Sequence, residues 1–188
     1  MTKHLSSDQI VALFEQAGTQ LYGGEAITQT EHALQAAWLA EQAGGDDSLV
    51  IACLLHDLGH MLFQQSDDEL AEGKDDLHQL RVVPYLRGLL PPTVIETIRL
   101  HVDAKRYLCR HQPGYLAGLS EASRLSLALQ GGVMDDSQAC AFIDKPQAAL
   151  AIALRRCDDA AKVCGLVVPP LTHYLSRLNS MIEKTAAT

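Results

Sequence analysis

Residues 48–61, SLVIACLLHDLGHM, constrain this chain more than any other stretch. From Leu49 to Leu55 every residue is apolar, and the run then meets His56, Asp57 and His60. A helix of that composition has no polar face, so it is buried on most sides and other helices must wrap it. Asp46 or Asp47 is placed to cap it. The rest of the chain supplies the wrapping. Ser6-Ser7-Asp8-Gln9 opens a first helix, with Ile10, Leu13 and Phe14 at helical spacing. Thr28 to Glu31 forms a capping box, and the helix it starts runs through Leu34, Trp38 and Leu39 to Gly44-Gly45.

Further along, a helix around LHQLRVVPYLRGL is perturbed by Pro84, and Pro91-Pro92 starts TVIETIRLHVDA. Residues 104–119 read as turn-rich, with Pro113 and Gly114. SEASRLSLALQGG is a helix with a glycine stop, and Asp135-Asp136 caps a short one. Pro146 begins a long helix ending near Gly165, and Pro169-Pro170 begins the last. The acidic stretch 64–76 reads as a surface loop or lid. With no repeat and no strand alternation, the expectation is an all-α bundle, one domain over residues 1–188.

Composition excludes several function classes. A net charge of −8 argues against a general nucleic-acid binder, which needs a basic face. The opening MTKHLSSDQ is polar, and no apolar run approaches the roughly 18 residues of a membrane span, so a cytoplasmic protein is expected. The five cysteines form no CxxC pair and read as small buried apolar residues rather than a disulfide framework.

Histidines and aspartates recur among apolar neighbours on separate helices: His32, His56-Asp57, His78, His101 and Asp158. Apolar residues would pack better there, so this many polar groups in a small core need a reason. Metal is that reason. Imidazole and carboxylate together suit iron, manganese or zinc, and a shared carboxylate from Asp57 can screen the repulsion between two cations. On a continuous helix His56 and His60 share one face.

The ordered set matches the H…HD…D pattern of the HD-domain superfamily of metal-dependent enzymes, as His32, His56-Asp57 and Asp158. His78 and His101 match the two further histidines of its dinuclear members. Three more stretches, YGGEAITQTEH (22–32), HVDAKRYL (101–108) and LSEASRLSLALQGGVM (119–134), narrow the match. Together they resemble the HD-domain di-iron oxygenases of phosphonate breakdown, the glycine-forming 2-amino-1-hydroxyethylphosphonate dioxygenases. The resemblance runs over nearly the whole chain.

That resemblance implies roles. His32, His56, Asp57 and Asp158 would hold one iron, and His78, His101 and the bridging Asp57 the other, as a mixed-valent Fe(II)/Fe(III) pair with O2 as co-substrate. Tyr22 matches a tyrosine that can occupy the open site of the second iron as a ligand before substrate arrives, and Glu25 the residue that meets the substrate amine and moves with that tyrosine. His60, Lys105, Ser123 and Gln130 match phosphonate contacts. The implied reaction cleaves the carbon–phosphorus bond of a 1-hydroxyphosphonate, (R)-2-amino-1-hydroxyethylphosphonate giving glycine and phosphate. Arg106, Glu121 and Arg124 are expected in structural salt bridges, and Cys157 stands where the family can carry a tryptophan.

Two other readings stand beside it. A phosphohydrolase acting on a nucleotide or other phosphate monoester would use the same ligands with manganese, cobalt or zinc, and leaves Glu25 without a task. A non-catalytic sensing or scaffold domain would bind metal without turnover. Among hydroxyphosphonates, a trimethylated amine favours an aromatic cage, and 5% aromatic content leans toward a primary amine. The sequence sets no oligomeric state.

Overall fold

The computed structural model describes residues 4–23, 25–63 and 75–187. The first helix, α1 (Ser7–Gln16), starts at Ser6, whose hydroxyl accepts from Gln9 N–H while the Gln9 side chain accepts from Ser6 N–H. α2 (Gln29–Gln42) starts the same way at Thr28 and Glu31 and stops before Gly44, which takes a φ of 75°. α3 (Asp47–Leu55) is capped by Asp46, and every side chain from Leu49 to Leu55 is buried. α4 (Leu58–Leu62) follows after a turn.

α5 (His78–Arg81) and α6 (Val83–Leu86) are the two pieces into which Pro84 breaks that stretch. α7 (Pro92–His111) is followed by the short α8 (Tyr115–Gly118). α9 (Glu121–Leu129) is capped by Ser120 and stopped by Gly131 and Gly132, both at positive φ. α10 (Asp136–Ile143), capped by Asp135, α11 (Ala148–Ala160) and α12 (Leu171–Ala186) complete the chain.

α3 is the axis of the bundle. It packs against α2, α7, α11 and α12, and α11 closes over α2 and α7. Each fully buried leucine or isoleucine on α3 contributes roughly 1.5–3 kcal/mol over an exposed one. A smaller cluster around Leu100, Met134 and Phe142 packs α10 onto the far end of α7. Among the described residues there are no strands, only isolated bridges between Leu21 and Thr28 and between Arg87 and Leu90.

Four expectations are corrected. Residues 48–61 are not one helix: the chain turns at His56 and Asp57, so His56 and His60 do not share a continuous helical face. The turn brings Gly59 against α5, where an added Cβ would lie 2.3 Å from the His78 carbonyl oxygen. Residues 104–111 are the last two turns of α7, because AKRYLCRH has no breaker before Pro113 and keeps Leu108 on the buried face. α11 ends at Ala160, short of Gly165, because backbone groups of residues 161 and 163 bond to His32 and Gln35 of α2 instead. Of the cysteines only Cys53 is buried, while Cys140 and Cys164 are exposed on the outer face of α10 and in the turn after α11. All five are free.

The loop reading for 64–76 falls largely outside the described residues. Arg106 pairs with Asp103 as expected, and it also donates to the Gly131 and Gly132 carbonyls. Glu121 and Arg124 are both exposed, and among the described residues neither forms an ion pair.

Candidate metal centre and active-site cavity

The bundle brings the six His and Asp residues from α2, the α3–α4 turn, α5, α7 and α11 to one buried point. They fall into two halves. In the first, ligand atoms of His32, His56 and Asp158 lie within 4.8 Å of one another. In the second, His78 and His101 face each other with Nε2 atoms 3.2 Å apart.

Asp57 joins the halves. Its Oδ2 lies 3.4 Å from His56 Nε2 and 3.7 Å from His32 Nε2, while its Oδ1 lies 3.3 Å from His78 Nε2 and 3.6 Å from His101 Nε2. One carboxylate therefore offers an oxygen to each half. The turn between α3 and α4 makes this possible, by setting Asp57 outside both helices at their junction.

The imidazoles test whether a cation fits. His101 Nδ1 donates to the Ile98 carbonyl at 2.7 Å, and His78 Nδ1 to the Asp76 carboxylate at 2.8 Å. Burial lowers the basicity of both rings, and the neighbouring imidazoles lower it further, so both are neutral. A neutral ring that donates through Nδ1 keeps a bare lone pair on Nε2. Two such lone pairs then face each other with no proton between them, which is the arrangement a bound cation relieves.

The first half makes the same demand in another way. His32 and His56 donate through Nδ1 to the carbonyls of Ala161 and Cys53, and their Nε2 atoms are 3.2 Å apart. Burial opposes charge on His56, but Asp57 and then Asp158 outweigh it and push it up to about 9. The carboxylates thus call for positive charge, which a metal ion supplies in place of the proton. The residues present fit a pair of divalent or trivalent cations held by imidazole and carboxylate.

A cavity of about 520 Å³ opens above the cluster. Tyr22, Asp57, His60, His78, His101 and Asp158 form its floor, and Lys105, Ser123, Ser126, Gln130 and Lys162 its facing wall. Tyr22 stacks on His32 with ring centroids 3.7 Å apart, and its hydroxyl is 3.5 Å from Asp158 Oδ1. It therefore lies over the first half rather than over His78 and His101. Burial, then Asp158 and Asp57, hold its hydroxyl protonated well above the ordinary range when no metal neutralises them.

His60 is a third of the way exposed and stacks on His78, with its Nδ1 2.6 Å from Asp76. Its Nε2 is 3.8 Å from Asp57 Oδ1, so it stands beside the second half and faces the cavity. Lys105, nearly buried, donates to Ser126 at 2.8 Å; burial, then Arg155, lower it to about 8. Ser123 is buried and accepts from Lys162 at 3.0 Å. Gln130 also lines this space, and its buried amide oxygen has no hydrogen-bond partner among the described residues. Glu25 does not line the cavity but stands behind Lys162, 3.6 Å from its ammonium.

Sequence reasoning missed four groups. Asp76 bridges His60 and His78. Arg155 holds Asp158 Oδ2 at 2.7 Å and also bonds Asp159, fixing which Asp158 oxygen faces His32. Ser126 and Lys162 complete the wall. Helical spacing from Ser123 and Asp158 points to Ser126 and Arg155, one turn away on the same faces.

Residues 30–140 match the HD domain family model, with Asp158 lying beyond it. The chain is 42% identical over 181 residues to the hydroxymethylphosphonate dioxygenase of Gimesia maris, covering 94% of this chain and 89% of that one. It is 35% identical over 175 residues to the [1-hydroxy-2-(trimethylamino)ethyl]phosphonate dioxygenase (glycine-betaine-forming) of Leisingera caerulea, covering 93% and 89%. An uncharacterized protein of Acanthamoeba polyphaga mimivirus is 36% identical over 178 residues, covering 93% and 79%. Among the described residues no helix is long and apolar enough to cross a membrane. A helical bundle built around the His and Asp cluster, a family match over most of its length, and relatives aligned nearly end to end place this chain in the HD-domain family.

Proposed function

We propose that the chain is a single-domain di-iron dioxygenase of phosphonate breakdown, cleaving the carbon–phosphorus bond of a 1-hydroxyphosphonate with O2. The observation that carries this reading is Asp57, one carboxylate divided between two sets of imidazoles beneath a cavity whose facing wall is cationic. The two named relatives support it, since both are hydroxyphosphonate dioxygenases. His32, His56 and Asp158 would hold one iron, His78 and His101 the other, with Asp57 between. The iron pair would supply the oxygen activation that this bond requires, because carbon–phosphorus cleavage has no oxygen leaving group for water to displace.

The chain's own residues bind and orient. Lys105 offers a charge to the phosphonate, and Ser123 and Gln130 offer neutral donors. His60, oriented by Asp76, reaches the same oxygens from the metal side. Tyr22 shields the cluster until substrate enters, then withdraws. Glu25 serves the far end of the substrate.

Among candidate substrates we favour (R)-2-amino-1-hydroxyethylphosphonate. Glu25 provides a carboxylate for an ammonium group. Tyr22 is the only Phe, Tyr or Trp among the described residues lining the cavity, too few for the cage that a trimethylamine prefers. The reading also takes the protein to be cytoplasmic, with a small-molecule substrate and no nucleic-acid or membrane partner.

The test is phosphate release by iron-loaded protein from this compound, from hydroxymethylphosphonate and from the trimethylamino analogue, each with and without oxygen. Oxygen-dependent release fastest from the amino compound, with glycine as co-product, is expected. A preference for another of the three corrects the substrate and retains the reaction. Release that ignores oxygen contradicts the oxygenase reading and favours hydrolysis.

A further inference from the structure

We infer that Lys162 is a second cation of the phosphonate-binding wall and that Glu25 is its resting counterion, so that the phosphonate and Glu25 compete for one ammonium group. The inference rests on the proposed function for the identity of the anion, but not for the existence of the site.

Lys162 owes its place to the early end of α11. The flanking residues are fastened to α2 from both sides: Ala161 gives its carbonyl to His32, and Val163 exchanges two hydrogen bonds with Gln35, at 2.8 and 3.0 Å. Between these ties the Lys162 side chain goes the other way, into the cavity, and is nearly buried there. Its ammonium donates to Ser123 at 3.0 Å and to Ser120 at 3.2 Å.

The arrangement repeats one turn along. Lys105, from α7, donates to Ser126, three residues after Ser123 on the same face of α9. Lys105 from α7 and Lys162 from the segment after α11 thus converge on two serines one turn apart, and both line the cavity above the cluster. A dianion with three oxygens suits such a wall, because each lysine supplies a point charge and keeps at least one N–H donor beyond its serine contacts.

The third partner of Lys162 is weaker. Glu25 Oε1 sits 3.6 Å from the ammonium, too far for a hydrogen bond, and that buried oxygen has no hydrogen-bond partner among the described residues. An anion that hydrogen-bonds the same ammonium can displace so loose a partner, provided the freed carboxylate, itself partly exposed, meets solvent or another cation. Binding of the phosphonate to Lys162 would then release Glu25, freeing its carboxylate at the moment the rest of the substrate arrives.

Inorganic phosphate is the probe, its binding to the metal-loaded protein measured by calorimetry under nitrogen. Lys162→Met should weaken phosphate binding about tenfold or more, and Lys162→Arg should recover most of it. Glu25→Gln should tighten binding several-fold, because the competing counterion is gone. A lysine that merely supports the fold would not produce that opposite pair of signs. Unchanged affinity in a folded Lys162→Met protein, or weaker phosphate binding in Glu25→Gln, overturns the inference. Should Lys162→Met not fold, the sign of the Glu25→Gln change still decides. Should the protein release no phosphate from any hydroxyphosphonate, the proposed function fails, while these phosphate affinities still test the lysine site.

Discussion

Every imidazole among the six core residues is tied through Nδ1 to a group the fold itself positions: a backbone carbonyl for His32, His56 and His101, and Asp76 for His78. The facing wall is tied differently. Lys105 and Lys162 hold serine hydroxyls, and Lys162 shares its charge with Glu25. Three of these four ties are to backbone, so they are set once the helices pack and leave the Nε2 lone pairs of His32, His56 and His101 no choice of direction. Ties between side chains can be exchanged for ligand without moving a helix. The metal half is therefore preorganised, and the wall is built to trade partners.

The largest effect should come from breaking the preorganised half. Asp57→Ala removes the carboxylate that both halves share, so metal affinity should fall by more than the roughly 10–100-fold typical of losing an outer partner of a ligand. Iron analysis after desalting checks this, and an unchanged iron content contradicts the assignment of Asp57.

Gly59→Ala asks whether that half depends on backbone packing. Its new Cβ meets the His78 carbonyl at 2.3 Å, and backbone cannot rotate aside as a side chain can. A loss of about 1–3 kcal/mol is expected, equivalent to a Tm lower by roughly 2–12 °C for a chain of this size. Thermal unfolding of the metal-free protein measures it, and an unchanged Tm would mean that the α4–α5 approach is not tight.

The smallest effect probes the wall by pH. Lys105 is lowered from 10.5 to about 8, by burial and then by Arg155. Its proton is therefore lost as pH rises through about 8, and kcat/KM for a phosphonate should decline above that pH. Stability should move the other way. Between about 8 and 10.5 the unfolded chain binds more protons than the folded one, so this group makes the fold more stable as pH rises. Lys105→Met should abolish both trends. A kcat/KM profile that is flat from pH 7 to 10 in the wild-type enzyme contradicts the contact.

The contrast between the halves also explains what the sequence could reveal. Helix starts were legible because Ser6, Thr28, Asp46, Ser120 and Asp135 carry their own capping chemistry. The cluster was legible because histidines and aspartates inside apolar runs have few reasons to be there other than a metal. The turn at His56-Asp57 was not, since no glycine or proline marks it and the reason for it lies in α5, some twenty residues further on. The end of α11 was hidden for the same reason: Gln35 and His32 on α2 draw residues 161–163 out of the helix. Asp76 carried no local signal, because an aspartate in an acidic stretch reads as a solvated charge until its distance to His60 and His78 is known.

The central claim is that a single carboxylate, Asp57, serves two metal positions. Electron paramagnetic resonance of the iron-loaded protein, partly reduced and paired with iron quantitation, tests it most directly. The account predicts two irons per chain and the half-integer spin signal of a coupled Fe(II)/Fe(III) pair, lost in Asp57→Ala. One iron per chain, or two that give only the signals of isolated ions, would contradict it.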